Sequence, residues 1–163
     1  METVAVGMDP LLPMAIQAPA ARVLVVEDDD EMRALVEEIL KEEGYSVIGA
    51  ADTFSALVQI LGEGADAIVT DWKMPVRDGI DLLRSVRRCL PGLPAVLVTA
   101  YPDPDLRAQA LKNGADSFLA KPFHRGDLLA HVKAALAAGR VRRERRGQVR
   151  FPSGGSGQGP SAP

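Results

Sequence analysis

Two kinds of hydrophobic pattern alternate along the chain. Short continuous apolar runs at Arg22 to Val26, Tyr45 to Gly49, Ala67 to Thr70, Ala95 to Thr99 and Ser117 to Ala120 predict buried strands. Between them, apolar residues recur at helical spacing. The five sets are Met32, Leu35, Val36, Ile39 and Leu40; Ala56, Leu57, Ile60 and Leu61; Ile80, Leu82, Leu83 and Val86; Leu106, Ala110 and Leu111; and Leu128, Leu129, Val132 and Leu136. The punctuation agrees with this division. Asp29 or Asp30 can cap the first helix, Thr53 the second, and Asp103 the fourth, with Pro104 at its first turn. Gly44, the Gly62 to Gly64 turn, Pro91-Gly92 and Gly114 mark the stops. Five strands alternating with five helices predict an α/β fold, a doubly wound parallel sheet covered on both faces by right-handed crossovers.

With 163 residues, 47% hydrophobic and 25% charged, the chain has apolar mass for one ordinary core. The expected organisation is an N-terminal extension over 1–20, one domain over 21–138, and a tail over 139–163. In that tail a basic stretch precedes a Gly/Ser/Pro-rich segment from Ser153 that lacks core-forming residues and is expected to be disordered. The N-terminal extension, interrupted by Pro10, Pro13 and Pro19, is also expected to be disordered. The net charge of −3 is unevenly spread. Six arginines (140, 142, 143, 145, 146 and 150) face only Glu144 after Gly139, so an acidic body carries a basic tail. A lone Cys89 fits a reducing compartment, no run has the length of a membrane span, and the N-terminus lacks the basic start of a secretory signal. A cytoplasmic protein without membrane contact is expected.

In such a sheet every strand-to-helix turn lies on one edge, so Glu27 and Asp28, Asp71, Thr99 and Lys121 converge although they are distant in sequence. Three carboxylates packed together resist ionisation unless a cation joins them, and oxygen ligands with waters suit Mg²⁺. A hydroxyl and an ammonium beside them suit a phosphoryl group attached to Asp71.

These residues carry a resemblance. The acidic pair Glu27-Asp28 after the first strand, Asp71 in Thr-Asp-Trp-Lys-Met-Pro, Thr99 in Val-Thr-Ala and Lys121 in Lys-Pro-Phe occur in the order found in the receiver domain of bacterial two-component response regulators. From about Arg22 to Ala138 the chain resembles that family. The resemblance implies a flavodoxin-like (βα)5 fold, with Asp71 as phosphoacceptor and Asp28 as a direct Mg²⁺ ligand. Glu27 would act through water, and the main-chain carbonyl of Lys73 would complete the protein's ligands. Thr99 would bond a phosphoryl oxygen, Lys121 would neutralise its charge, and the Lys121-Pro122 bond would be cis. The implied donor is a phosphohistidine on a sensor histidine kinase or phosphotransfer protein. The implied output is phosphorylation-dependent protein binding on the face of the fourth helix, fifth strand and fifth helix. Lys73 and Tyr101 occupy positions that modulate dephosphorylation in the family, so they are expected to gate access of water. One departure stands out: Phe118 replaces the family's frequent Tyr, keeping a ring that can rotate inward but not its hydroxyl.

Two competing readings rank lower. A haloacid-dehalogenase-type phosphatase would place a second Asp two residues after the nucleophile, where this chain has Lys73. A receiver-shaped binding module without phosphotransfer has no use for the intact acidic pair, Thr99 and Lys121. The chain is therefore expected to be a phosphoacceptor switch rather than an enzyme, in a single-domain regulator. For the arginine run, a solvated extension of the last helix, a nucleic-acid patch and a contact for an acidic partner all stay open. Without a recognition helix or interleaved aromatics, sequence-specific DNA binding is not expected. His124 and His131 lack ligand partners at metal spacing and read as structural, and Cys89 reads as a small apolar filler. Trp72 either flanks the site or is a partly packed surface aromatic.

Overall fold

A computed structural model describes residues 19–147. The strands β1 (Arg22–Val26), β2 (Ser46–Ala50), β3 (Ala67–Asp71), β4 (Ala95–Thr99) and β5 (Ser117–Ala120) alternate with five helices. These are α1 (Asp30–Glu42), α2 (Thr53–Glu63), α3 (Gly79–Cys89), α4 (Pro104–Lys112) and α5 (Arg125–Gly147). All strand pairs are parallel, in the order β2-β1-β3-β4-β5. The winding reverses between β1 and β3, so the crevice beyond their carboxyl ends is the topological switch point. Register keeps the strand ends level: Val26 pairs with Thr70, Asp71 with Val98, and Thr99 with Ala120.

Strand alternation feeds two cores. Val23 and Val25 of β1 join Val69, Val96, Leu40, Leu128 and Val132 on the α1 and α5 side. Leu24 and Val26 join Ile68, Leu97, Leu82 and Val86 on the α2 and α3 side. The central strands β1, β3 and β4 are thus buried on both faces, which is why their runs are continuously apolar, whereas the edge strands β2 and β5 are only partly buried.

Several local expectations need correction. Asp52, not Thr53, caps α2: its carboxylate accepts from Ser55 N at 2.7 Å, while Thr53 is the first helical residue and is buried. A charged acceptor one position earlier outcompetes the hydroxyl for the free amide. Leu61 and Leu111 are exposed, and Leu57 is half-buried, because the small Ala56 and Ala110 face the sheet and narrow each apolar stripe. Leu35 is also largely exposed. Cys89 closes α3 at the solvent surface and fills no core space; Val86, a turn earlier, is the last buried residue of that helix.

The last helix continues past Ala138. Gly139 is buried, and a Cβ there would press into the Pro94 ring. Arg142 then pairs with Asp116, and Arg143 with Asp66. No helix among the described residues is long and apolar enough to cross a membrane. The expectations for residues 1–18 and 148–163, Arg150 and the Gly/Ser/Pro segment included, fall outside the described residues.

Candidate functional site

The site is assembled from strand ends. Glu27 follows β1 and is only 5% exposed; its amide donates to Ala50 O at 3.0 Å, and its Oε1 accepts from Asp29 N at 3.2 Å. Arg33, on the first turns of α1, donates to the Glu27 carbonyl at 2.8 Å. Asp28 is next and exposed, and Asp29 caps α1 through Met32 N. Asp71 terminates β3 with its side chain 11% exposed. Close behind it, Gly79 N donates to Trp72 O at 2.8 Å, and any Cβ at Gly79 would collide with the Asp71 carbonyl oxygen. Thr99 ends β4 fully buried, and its carbonyl accepts from Lys121 N at 2.7 Å. Lys121 follows β5, and its bond to Pro122 is cis, as the resemblance implies.

One ammonium serves two carboxylates. Lys121 Nζ lies 2.7 Å from Glu27 Oε2 and 3.3 Å from Asp71 Oδ1. An oxygen from each of Glu27, Asp28 and Asp71 lies within 4.8 Å of the other two. Burial pushes the Glu27 carboxyl above its ordinary range, against the lowering effect of its hydrogen bond to Lys121 and with added repulsion from Asp71. Asp71 is also raised, by burial first and in small part by Asp28, while Lys121 pulls the other way. For Lys121, burial alone would lower the pKa, but the bond to Glu27 and the charges of both acids outweigh it and hold the ammonium charged. Three acids against one ammonium leave negative charge in excess. An all-oxygen donor set with that excess fits a hard divalent cation such as Mg²⁺.

Glu27, Asp28, Asp71 and Lys121 therefore meet. Thr99 stands at the adjacent strand end, where its Oγ1 accepts from Tyr101 N at 3.0 Å. Phe118 pairs with Leu97 in the β4–β5 register and packs, half-buried, on the α3 side of the sheet. It also lines a surface groove of about 350 Å³ with Pro102 and Arg107. Lys73 is exposed, with its ammonium 4.9 Å from the centre of the Tyr101 ring, and Trp72 meets that ring edge-on at 6.3 Å. Trp72 is half-buried, joining the core and flanking Asp71 in sequence. His124 lies at the start of α5, where its carbonyl accepts from Asp127 N at 3.0 Å, and His131 is half-buried within that helix. The sequence marks Gly79 only as part of the turn pair Asp78-Gly79 and gives Arg33 no distinguishing feature.

The model of the response regulator receiver domain family matches residues 23–133. Among curated proteins, the transcriptional regulatory protein PrrA of Mycobacterium tuberculosis is 39% identical over 115 residues, covering 71% of this chain and 49% of the relative. The phosphate regulon transcriptional regulatory protein PhoB of Escherichia coli is 34% identical over 119 residues, covering 72% and 52%. The chain spans about half the length of these curated relatives. Among solved structures, a CheY-like response regulator receiver domain protein from Methanospirillum hungatei superposes with a TM-score of 0.71 at 31% identity, covering 75% of this chain and 98% of that one. A putative response regulator from Chloroflexus aurantiacus gives 0.69 at 35% identity, covering 72% and 98%. With the parallel 2-1-3-4-5 sheet and the family match over most of the described residues, the chain belongs to the response regulator receiver domains of two-component systems.

Proposed function

We propose that Asp71 accepts a phosphoryl group from a phosphohistidine on a sensor histidine kinase or phosphotransfer protein, in a reaction that requires Mg²⁺. The observation that carries this is the shared ammonium: Lys121 bridges Glu27 and Asp71 while a third acid, Asp28, stands within reach of both. In the transfer, a bond forms between an Asp71 carboxylate oxygen and phosphorus as the bond between phosphorus and the donor imidazole nitrogen breaks. The imidazole leaves with that electron pair. Glu27, Asp28, Asp71 and the main-chain carbonyl of Lys73 would hold Mg²⁺, which when bound supplies positive charge to the acids and to the phosphoryl oxygens. Lys121 holds its proton and offers a second positive charge at the same place. The Thr99 hydroxyl, at the neighbouring strand end, donates to a phosphoryl oxygen once that oxygen is present.

The output follows from packing. Phe118 on β5, next to the strand that ends in Thr99, lines the groove with Pro102 and Arg107 at the start of α4. A rotation of its ring, which has no hydroxyl partner, would therefore change the shape of the α4, β5 and α5 face. The protein acts as a phosphoacceptor switch that binds a downstream protein on that face. Intact mass after incubation with acetyl phosphate tests the acceptor. Wild type with Mg²⁺ gains one phosphoryl group; Asp71→Asn, or wild type in chelator, gains none. A phosphoryl gain that survives either condition overturns the reading.

A further inference from the structure

We propose that the outer face of α2, together with the β3–α3 loop, is an interface between two copies of this chain. Phe54, Val58 and Leu61 lie at helical spacing on α2 and are 78%, 54% and 69% exposed. The sheet-facing residues Ala56 and Ile60 are buried, so α2 is apolar on both sides. Val76 extends the patch and is fully exposed. Between Phe54 and Val76 runs a groove of about 500 Å³, with Leu57 and Pro75 in its walls. The groove is held open from behind, because Thr53 Oγ1 donates to Arg77 O at 3.2 Å and ties the loop to the helix.

Two observations single out this face. First, Val76 has φ of +69°, a left-handed conformation that costs a β-branched residue strain. A strained, exposed apolar side chain gives the isolated fold nothing, whereas a partner would bury it. Second, α2 carries one ionisable side chain, Glu63, in eleven residues, while α1 carries seven in thirteen.

The charge pattern selects the occupant. The chain carries a net charge of −3, with its acid excess outside the basic stretch after Gly139, and a face with few charges lets two copies approach. A two-fold interface must be complementary to itself. An apolar stripe beside a groove meets that condition: the Phe54 ring of each copy enters the groove of the other. The rim carries both signs, Asp28 and Asp52 with Arg77, so Arg77 of one copy can face an acid of the other. The four exposed side chains present roughly 500 Å² per copy, or about 1,000 Å² across the pair, the area at which specific interfaces begin. The apolar contact is built from α2 and Val76, and its test does not require phosphoryl transfer to Asp71, although the groove borders Asp28.

Sedimentation equilibrium of the full chain over a concentration series tests the proposal. Wild type is expected to show a monomer–dimer equilibrium, and Phe54→Asp and Leu61→Lys, both at exposed positions, to weaken it at least tenfold with an unchanged circular dichroism spectrum. Val76→Asn separates the roles, because Asn adopts positive φ at lower cost than Val. Measured below the dissociation constant, its melting temperature should rise by roughly 2–4 °C, while its dimer weakens. A wild type that stays monomeric throughout, or a dimer that all three substitutions leave intact, overturns the proposal.

Discussion

Glu27 and Asp71 share one ammonium at the end of a sheet, and burial makes both acids harder to ionise than they are in the unfolded chain. A carboxyl raised on folding contributes stability below its unfolded pKa and loses that contribution as pH rises through the folded value. At neutral pH without a cation, the ionised acids therefore oppose folding. Asp71→Asn removes one of them and leaves Lys121 its bond to Glu27. In chelator at pH 7 this substitution should raise stability by about 1 kcal/mol, a melting shift of roughly 3–5 °C. The gain should shrink as pH falls into the carboxylate range, because wild-type Asp71 then takes up a proton. With Mg²⁺ in excess the ranking should reverse, since the cation stabilises the wild type by mass action. A mutant no more stable than wild type in chelator would show that repulsion does not govern the site. At this scale the sequence was informative where residues carry chemistry. The acids and Lys121 are rare types at strand ends, so topology alone brings them together. Gly79 was less legible, because its need for hydrogen at Cα arises from a close approach to the Asp71 carbonyl that only the folded chain reveals.

Elements were legible to the extent that one face of each had to be buried. The continuous apolar runs reappear as β1 to β5 within a residue, and in the central β1, β3 and β4 burial on both faces leaves little room for polar positions. Helix faces were harder to read. On α2 the set Ala56, Leu57, Ile60 and Leu61 reads as core, yet Ala56 and Ile60 satisfy the sheet and leave Leu61 outside. Periodicity reports that a face is apolar without saying what covers it. The same limit applies to α4, which buries only Leu106 and the small Ala110, less apolar side chain than the Val36 and Leu40 of α1, the other helix with two buried residues. A helix held by one leucine and one alanine is the element a shift at Thr99 and Phe118 can displace at least cost. In amide exchange, beryllofluoride with Mg²⁺ should change protection across Pro104 to Lys112 and β5 more than across α1. Changes confined to the neighbourhood of Asp28 and Asp71 would reject coupling to the α4, β5 and α5 face.

Across the whole molecule, charge is divided between the two edges of the sheet. The carboxyl edge gathers acids around Lys121, whereas the opposite edge gathers arginines around Asp116. The Asp116 carboxylate accepts from Ala95 N at 2.8 Å and Arg87 Nη2 at 3.4 Å, and it pairs with Arg142 from α5. Arg87 also donates to the Gly114 carbonyl, and burial pushes its pKa down against the raising effect of Asp116. One acid thus joins α3, β4, the start of β5 and the part of α5 that lies beyond Ala138. In the sequence, Arg142 is one of a run and has no feature that distinguishes it from Arg145 or Arg146. Its partner lies 26 residues away, and only the seating of Gly139 on Pro94 aims the helix so that they meet. Removing Asp116 leaves two partly buried guanidiniums without their counter-charge and the Ala95 amide without its acceptor, so Asp116→Ala should cost about 2–3 kcal/mol. Arg142→Ala should cost about 1 kcal/mol, because that side chain is a third exposed and solvent screens the pair. Since both changes break one network, the double mutant should be little worse than Asp116→Ala alone. Denaturant titration of the four proteins measures the cycle. Losses that simply add would show that Arg142 contributes independently of Asp116. Phosphoryl stoichiometry on Asp71 should stay unchanged in all four, because the arginine network and the acid site occupy opposite edges of the same sheet.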